Sequence, residues 1–429
     1  MGRKKITYWT AIKIVKFFII FYALGITGNL IYKNTKHIPA EKFVMRSDSE
    51  GYYQYLPHFF IYDWDDMGKM HWAKDYKPGV KLNMYTCGIA IMQIPFFFIA
   101  HFSSIYFELE ADGYTSVYFM WILLATIFYV GLGLLFLYKS LRRYFSKKIS
   151  FWTTLLIFFA TNLYYYSLIS PGMSHAYSFS LISMFVYFVP RFYDKQCFKN
   201  ILMVSIPLGL ATLIRPTNIL IVLYFFFYGI TNINDFRNRL KLFFKNWYYI
   251  LTMLIVGIVI FIPQMLYWHT ITGKYIFYSY RDEGTFPFLW SPKILTVLFG
   301  ARNGWYIYTP LMFLASCSLI YLVIKKKLNS LATLIIMIVI IYINSSWWRP
   351  TFSSATGYRA LIGFYPFMVI PLAFLLNKIY TQKRIVKIAF TFLLVIFVVY
   401  NLLFNYQYNS DVWWNHEWTW SNFSRLITF

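Results

Sequence analysis

Two carboxylates and three tyrosines lie close together in residues 46–55, which read Arg-Ser-Asp-Ser-Glu-Gly-Tyr-Tyr-Gln-Tyr. They follow the first long apolar segment of the chain. Acidic side chains beside a bilayer are costly unless water, a cation or chemistry uses them. A carboxylate here is suited to act as a general base, taking a proton from an acceptor hydroxyl as its oxygen attacks an activated carbon. We therefore predict that Asp48 and Glu50 are catalytic and that Tyr53 binds substrate.

The same carboxylates offer a second chemistry, because Asp48, Glu50 and a histidine together would supply ligands for a divalent metal ion. The spacing matches no established ligand signature, so the metal is an open alternative and no cofactor is certain. Further along the loop, Asp63, Asp65 and Asp66 are expected to form a solvated acidic stretch.

A second polar group lies in the turn Ser-Pro-Gly-Met-Ser-His-Ala-Tyr, which ends at Tyr177. Its histidine, His175, is a candidate for binding substrate, and a proton relay or a helix cap are the alternatives. The sequence alone does not choose among these three roles.

Basic residues between the later apolar segments form a third group. Guanidinium forks match phosphate oxygens, so arginines here suit a lipid phosphate or a pyrophosphate. Small glycines beside Arg302 and Arg359 would let such a ligand approach the backbone closely. We predict that Arg215, Arg302 and Arg359 bind substrate. Ordinary pairing with acids or headgroups is expected for Lys274 and Lys293. The group also includes Arg281 and Arg349.

The composition places these groups in a membrane protein. Of 429 residues, 59% are hydrophobic and only 13% are charged, whereas soluble domains typically have about 25% charged residues. A formal charge of +24 would suggest nucleic acid as the partner of a soluble protein. Here the lysines and arginines cluster in short loops between apolar segments, as the positive-inside rule requires, so no nucleic-acid partner is expected. Cys87, Cys197 and Cys317 have no metal-type spacing and indicate neither disulfides nor a zinc site.

The charge pattern also decides which apolar segments cross the bilayer. If every long segment crossed, the basic cluster after residue 138 and all later basic loops would lie outside, against the positive-inside rule. Placing segment 85–107 in the outer interface repairs all of these loops, and its Pro95 and His101 agree with such a position. The predicted crossings are 8–31, 117–138, 151–169, 176–192, 200–214, 217–231, 248–268, 305–324, 329–346, 360–377 and 388–405.

This topology predicts one all-α domain over 1–429, with the N-terminus in the cytoplasm and the C-terminus outside. The first external loop, 33–116, would contain interfacial helices, and 406–429 would form an external aromatic tail that includes Trp413, Trp414 and Trp418. Of the sixteen acidic residues, only Asp194 and Asp235 fall on the cytoplasmic side. The arginines proposed to bind phosphate are external, so the polar chemistry is expected there.

The order and sidedness of several short motifs resemble those of GT-C fold membrane glycosyltransferases. The resemblance is specifically to bacterial relatives of the dolichyl-phosphate-mannose protein mannosyltransferases and the lipid A aminoarabinose transferases, and it covers nearly the full length. The motifs are Ser47-Asp-Ser-Glu-Gly-Tyr-Tyr-Gln-Tyr-Leu56, Lys77-Pro-Gly79, Pro171-Gly-Met-Ser-His175-Ala-Tyr-Ser-Phe179, Leu213-Ile-Arg215-Pro-Thr-Asn218, Arg302-Asn-Gly304 with Thr309-Pro310, and Trp347-Trp348 through Gly357-Tyr-Arg359.

The resemblance implies a GT-C-like bundle, consistent with about eleven transmembrane helices, and a sugar donor on a polyprenyl phosphate bound from the outer leaflet. It implies that Asp48 activates the acceptor and that Lys77 faces the donor phosphate, assisted by arginines of later external loops. Relatives often have adjacent Asp and Glu, whereas Ser49 separates Asp48 from Glu50 here. The expected protein is therefore an inverting glycosyltransferase of the bacterial inner (plasma) membrane, acting on a protein, lipid or glycan at the periplasmic face.

Two other functions fit a polytopic, aromatic-rich chain. A lipid or solute transporter, or a flippase, usually has ionisable groups near the bilayer midplane and repeated halves with broken helices. Here the charges are predicted at the outer rim and no internal repeat is visible. A non-catalytic scaffold of the same fold is the third possibility.

Overall fold

A computed structural model describes residues 8–36, 48–62, 73–280, 284–352, 355–408 and 419–425. Within these residues the chain folds into helices, joined by short loops and a two-stranded hairpin. Several residues singled out in the sequence lie outside the described residues, namely Asp63, Asp65, Asp66, Arg281, Trp413, Trp414 and Trp418.

A helix is present at every segment predicted to cross the membrane. In chain order the helices are α1 (Tyr8–Lys36), α2 (Asp48–Tyr53), α3 (Tyr55–Phe60), α4 (Gly88–Tyr106), α5 (Ser116–Leu141), α6 (Lys147–Phe159), α7 (Ser174–Asp194), α8 (Phe198–Ile214), α9 (Val222–Phe227), α10 (Ile233–Lys245), α11 (Tyr248–Thr272), α12 (Ile294–Phe299), α13 (Trp305–Tyr308), α14 (Pro310–Ile324), α15 (Ser330–Ser345), α16 (Tyr365–Tyr380), α17 (Arg384–Tyr408) and α18 (Trp420–Arg425). Short 3₁₀ segments, Pro216–Ile221 and Arg359–Phe364, lead into α9 and α16, and a π-helical turn covers Tyr165–Ile169.

Local sequence explains several of these boundaries. Pro216, Pro310 and Pro366 each occupy the first turn of a helical segment, where the missing backbone N–H would have no partner in any case. Helix α11 ends at Gly273, whose φ of 75° is the left-handed conformation that glycine adopts without a steric penalty. The predicted all-α polytopic architecture is thus confirmed.

Length and composition would allow five helical segments of the described chain to cross a membrane, namely Gly88–Tyr106, Ser116–Leu141, Tyr248–Thr272, Arg359–Tyr380 and Arg384–Tyr408. Five other predicted crossings contain shorter apolar helices, namely Lys16–Leu30, Phe198–Ile214, Pro216–Phe227, Pro310–Ile324 and Ser330–Ser345, whereas 151–169 and 176–192 fall in neither group. Helices α11 and α17 leave most of their apolar side chains exposed, as expected for surfaces that face lipid. The number of crossings, eleven, stays a prediction.

Helix α4 is the segment that the charge pattern places in the outer interface. It runs antiparallel to the first half of α5, because Tyr129 donates a hydrogen bond to the Met92 carbonyl (2.7 Å) and Tyr118 contacts His101 Nδ1 (2.7 Å). Its length and composition also suit a crossing. Its predicted interfacial position therefore stays a prediction.

A β-hairpin in the first loop was not predicted from the sequence. Strands β1 (Ala73–Lys77) and β2 (Val80–Asn83) pair antiparallel around Gly79, whose φ is 75°. The Asn83 side-chain amide donates to the Gly51 carbonyl of α2 (2.7 Å), and its backbone N–H donates to the Tyr267 hydroxyl of α11 (2.8 Å). The hairpin therefore fastens α2 to the end of α11.

Loops predicted to be cytoplasmic gather at one end of the bundle, which we call the basic end. Arg143 binds Asp194 through both side-chain oxygens (2.5 and 2.7 Å), and the Gly229 N–H donates to the Asn329 side chain (2.8 Å). Lys148 lies 5.0 Å from the centre of the Tyr380 ring. These contacts join the loops after α5, α7, α9, α14 and α16. We call the opposite end, where α2 lies, the α2 end.

Helix α7 links the two ends and is the most central helix of the bundle. Most of its side chains are buried between α5 and α8. Gly133 of α5 lies against Ser180, and an added Cβ there would come within 2.9 Å of the Ser180 Cα. His175 is in the first turn of α7 and Arg191 in the last, so about 24 Å of helix separates them.

Replacing Gly88 by alanine is expected to lower thermal stability. The new Cβ would lie 2.7 Å from the Ile214 backbone nitrogen and 2.9 Å from the Leu213 carbonyl carbon, so the start of α4 would have to move away from α8. Such overpacking costs about 1–3 kcal/mol, which a lower Tm of the detergent-purified protein would report. Gly257→Ala in α11 is the matched control, since a Cβ there meets nothing within 4 Å. An unchanged Tm for Gly88→Ala would contradict the close approach of the two helices.

Candidate active site

Asp48, the first residue of α2, lies between a phenol and a guanidinium. Tyr85 donates a hydrogen bond to its Oδ1 (3.0 Å), and Arg359 Nη2 lies 3.3 Å from its Oδ2. The side chains of Asp48 and Arg359 are 22% and 14% exposed, so the pair is half-buried at the α2 end. A carboxylate in this position is held in one orientation but is still reachable by a ligand.

The geometry of α2 decides which of its side chains join this pair. Positions i and i+4 of an α-helix lie on one face, and Tyr52 is four residues after Asp48. Its hydroxyl donates to Ser174 Oγ (3.3 Å), and its ring centre lies 4.7 Å from that of Tyr85. Glu50 is about 200° around the helix axis from Asp48, so its side chain leaves α2 on the opposite side.

Tyr53 lies away from this cluster. Its ring is buried against Phe97 and Tyr114, and its hydroxyl donates to the Gly113 carbonyl (2.5 Å). These contacts attach α2 to the loop before α5 and to α4. The structure therefore gives Tyr53 a packing role and places Tyr52, which was not selected from the sequence, beside Asp48.

Both phenols near Asp48 are kept protonated by their surroundings. Burial, reinforced by the charge of Asp48, raises the pKa of Tyr52 to about 12. Burial and the same carboxylate also raise the pKa of Tyr85 far above the usual range of tyrosine. Tyr85 therefore remains a hydrogen-bond donor to Asp48 at physiological pH.

His175 lies beside this group, at the start of α7. Its Nδ1 is 2.9 Å from Arg215 Nη1, and because a guanidinium has no acceptor, the histidine nitrogen must accept. The ring is thereby neutral with its proton on Nε2, and it lies edge-on to Tyr166. This geometry gives His175 a contact that the sequence did not suggest, with Arg215, whereas substrate binding, proton relay and helix capping stay predictions.

Hydrogen bonds to neighbouring helices fix the two turns that carry Arg215 and His175. After Arg215, the Asn218 N–H donates to the Arg215 carbonyl (2.8 Å), and the Asn218 side chain donates to Ser178 Oγ of α7 (3.1 Å). The turn before His175 is fixed at Gly172, with a φ of 81° and an N–H that donates to Thr126 Oγ1 (3.0 Å). The motif residues around Arg215 and His175 therefore fix the backbone of the two turns from which these side chains extend.

Arg359 follows a loop whose backbone turn requires a glycine in the left-handed conformation. Gly357 has a φ of 63°, and its carbonyl accepts from the Arg359 N–H (2.9 Å). The Asn162 side chain donates to the preceding Thr356 carbonyl (2.8 Å), which attaches this loop to the end of α6. Asn162 thus helps to place the guanidinium that faces Asp48.

Arg302 lies at the edge of the cluster, in the turn before α13. The next residue, Asn303, has a φ of 63° and donates through its side chain to the Thr351 carbonyl (2.9 Å). The charges of Arg302 and Arg359 both favour a lower pKa of the Tyr408 hydroxyl, although burial raises this pKa overall. Arg302 is therefore close enough to extend the positive region around Arg359.

Lys77 is not brought into the cluster. It is at the tip of the hairpin, paired with Val80, about 10 Å along the strand from the Asn83 contact with α2. Its side chain is exposed, with Nζ 5.4 Å from the Tyr76 ring centre. The donor contact implied for Lys77 by the sequence stays a prediction.

Among the residues that the structure describes, no three His, Cys, Asp or Glu side chains are grouped to hold a metal ion. Tyr85 and Arg359 are two of the neighbours of the Asp48 carboxylate. A divalent metal ion therefore stays an open prediction from the sequence.

The cluster thus unites four of the predicted residues, Asp48, His175, Arg215 and Arg359, and adds Tyr52, Tyr85 and Ser174. The spacing of Asp48 and Tyr52 was the available signal for Tyr52. Tyr85 is 37 residues from Asp48 and reaches it through the hairpin, which the sequence did not predict. Two guanidinium groups face one carboxylate and a neutral histidine, so the cluster favours an anion.

Comparisons with known proteins support a specific fold. Residues 95–268 match the family model described as dolichyl-phosphate-mannose-protein mannosyltransferase. This match includes His175 and Arg215, whereas Asp48 and Arg359 lie outside it. No curated protein sequence matches the chain significantly.

The fold resembles the crystal structure of ArnT from Cupriavidus metallidurans bound to undecaprenyl phosphate, with a TM-score of 0.52 and 12% sequence identity. The match covers 84% of this chain and 60% of that chain, so this protein spans less than two thirds of the length of that ArnT. The shared fold supports the architecture expected from the motifs: this chain is a polytopic membrane protein with a GT-C fold like that of this ArnT, and its residues 95–268 are similar to the dolichyl-phosphate-mannose-protein mannosyltransferase family.

Proposed function

We propose that this protein transfers a sugar from a polyprenyl-phosphate donor to an acceptor hydroxyl at the α2 end of the bundle. The observation that carries the proposal is the half-buried contact of Asp48 with Arg359, beside the Arg215–His175 pair. A base at Asp48 would lie next to more guanidinium groups than carboxylates. The likeness to an ArnT bound to undecaprenyl phosphate supports a lipid phosphate as the carrier of the sugar.

Arg359 and Arg215 would bind the donor phosphate. Guanidinium groups hold phosphate oxygens through paired, charge-assisted hydrogen bonds, and such bonds strengthen in a partly buried site. As the bond between the sugar and the phosphate breaks, negative charge grows on the departing phosphate, and these cations would stabilise it. Arg302 and Lys77 would assist from the edge of the site.

Asp48 would be the general base. In the unliganded protein its charge is partly neutralised by Arg359, which weakens it as a base. A donor phosphate competes for the same guanidinium, so donor binding would free Oδ2 to take the acceptor proton. Tyr85 would meanwhile keep the carboxylate oriented through Oδ1.

The reaction balances as a single displacement. The acceptor oxygen forms a bond to the anomeric carbon, its proton passes to Asp48, and the bond from that carbon to the phosphate oxygen breaks. The lipid phosphate leaves with the bonding electrons. Attack from the side opposite the phosphate inverts the configuration of the sugar.

The proposed setting follows from the charge pattern. The α2 end would face the periplasm of a bacterial inner membrane and the basic end the cytoplasm, with an acceptor on a protein, lipid or glycan. A transporter would instead need ionisable groups within the bundle. The described Asp48–Arg359 pair lies where α2 begins, so it favours transfer at the surface over transport.

Asp48→Asn is expected to reduce sugar transfer by about 10²–10⁴-fold, because the amide cannot accept the acceptor proton. Purified protein, a panel of radiolabelled polyprenyl-phosphate sugars and a membrane extract provide the measurement. Donor binding should persist, since the guanidinium groups remain. Asp75→Asn, a change of the same type on the exposed hairpin, is the matched control. Full activity of Asp48→Asn would exclude the role of general base.

Arg359→Gln is expected to lower kcat/KM for the donor by about 100-fold, through loss of charge stabilisation on the leaving phosphate. Arg359→Lys should recover only part of this, because an ammonium cannot form the paired hydrogen bonds of a guanidinium. Arg349→Gln is the control, as Arg349 is exposed and stacks on Trp348 at 4.2 Å. Equal losses in the two glutamine variants would point to a general surface-charge effect.

His175→Ala should raise the donor KM by about tenfold with a smaller change in kcat, because Arg215 loses the acceptor that orients it. Asn places an acceptor oxygen close to the position of Nδ1, so His175→Asn should restore most of the affinity. A role for His175 in proton transfer predicts the reverse: kcat would fall in both variants and Asn would restore nothing.

A further inference from the structure

A cavity of about 260 Å³ opens at the basic end, between the last turns of α5 and α7. Cations contribute much of its lining, with Lys139, Arg142 and Arg143 from α5 and the loop after it, and Arg191 from α7. Tyr187 and Tyr224 supply aromatic walls. His175 is at the other end of α7, so this cavity is separate from the candidate active site.

Two of the four cations are already engaged. Arg143 forms its two-oxygen contact with Asp194, and Arg142 donates to the Phe145 carbonyl. Lys139 and Arg191 have no hydrogen-bonded carboxylate among the described residues. They contact aromatic rings instead, with Lys139 Nζ 5.4 Å from the Phe136 ring centre and Arg191 Cζ 4.2 Å from that of Tyr187.

These two cations also repel each other across the cavity. Their charged groups contact the rings, so moving the two cations apart would cost these cation–π contacts. An anion between them would remove the repulsion and satisfy both. The volume is at the lower limit of small-molecule pockets, which begin at about 300 Å³, so it suits a headgroup-sized anion.

We propose that Lys139 and Arg191 form a binding site for a phosphate group at the basic end, suited to the headgroup of an anionic phospholipid. The cavity is at the end where the charge pattern predicts the cytoplasmic leaflet, whose anionic lipids attract basic residues. A free phosphate ion offers the same chemistry. Because this site and the active site lie at opposite ends of α7, either can fail without the other.

Purified full-length protein in neutral detergent tests the site. Native mass spectrometry would measure the binding of phosphatidylglycerol against phosphatidylcholine, and Tm would be followed with each lipid. Sodium phosphate against sodium chloride at equal ionic strength distinguishes a free ion from a headgroup. We expect phosphatidylglycerol to bind about tenfold more tightly than phosphatidylcholine. Protection by sodium phosphate as well would identify a site for the free ion.

Lys139→Gln/Arg191→Gln should weaken phosphatidylglycerol binding by about tenfold or more, since each of the two basic residues near an anionic headgroup contributes about three- to fivefold. Lys383→Gln/Arg384→Gln removes the same charge from exposed positions outside the cavity and should change binding less than about twofold. Lys139→Arg/Arg191→Lys keeps both charges and should retain binding, which controls for folding.

Three results would overturn the proposal. Equal losses in the two glutamine variants would show only general attraction to the basic surface. Cations in the last turn of a helix also stabilise its dipole, so a lower Tm of Lys139→Gln/Arg191→Gln with an undiminished lipid response would assign them that role alone. The third result is binding of neither phosphatidylglycerol nor phosphate by the unaltered protein.

Discussion

The contact between Asp48 and Arg359 is the constraint that organises the α2 end. A carboxylate and a guanidinium that are each largely withdrawn from solvent need one another or an equivalent ligand. Every neighbouring element contributes to their placement: the hairpin holds α2, Gly357 turns the chain toward Arg359, and Asn162 fastens that turn. The cluster therefore lies where several loops pack together at one end of the helical bundle.

The helical frame separates two clusters of charged side chains that differ in their partners. At the α2 end, guanidinium groups contact a carboxylate and a neutral histidine, so an anion that binds there would compete with Asp48 for Arg359. At the basic end, Lys139 and Arg191 contact aromatic rings, and within the described part of the chain neither forms a hydrogen-bonded ion pair, although the charge of Asp194 also acts on Arg191. An anion there would add a contact without displacing one. The same residue types can thus support turnover at one end and anchoring at the other.

The sequence predicted much of this arrangement, for identifiable reasons. Apolar segments and basic loops are local signals, so the helices and the grouping of basic loops at one end follow from composition. Motif order led to Asp48, His175, Arg215 and Arg359. Glu50 and Tyr53 were selected by proximity in the chain, but in a helix proximity in sequence is not proximity in space. Tyr85 could not be found in the same way, because it depends on the hairpin fold and on the approach of β2 to α2.

More than three hundred residues separate Asp48 from Arg359. A ribosome adding 5–20 residues per second needs roughly 15–60 s to cover that distance. Throughout this interval the carboxylate has already been synthesised while the guanidinium that matches it has not. The contact between Asp48 and Arg359 is consequently completed late in biogenesis, and a nascent chain interrupted before its final third would carry the carboxylate and Arg215 without the guanidinium that faces Asp48.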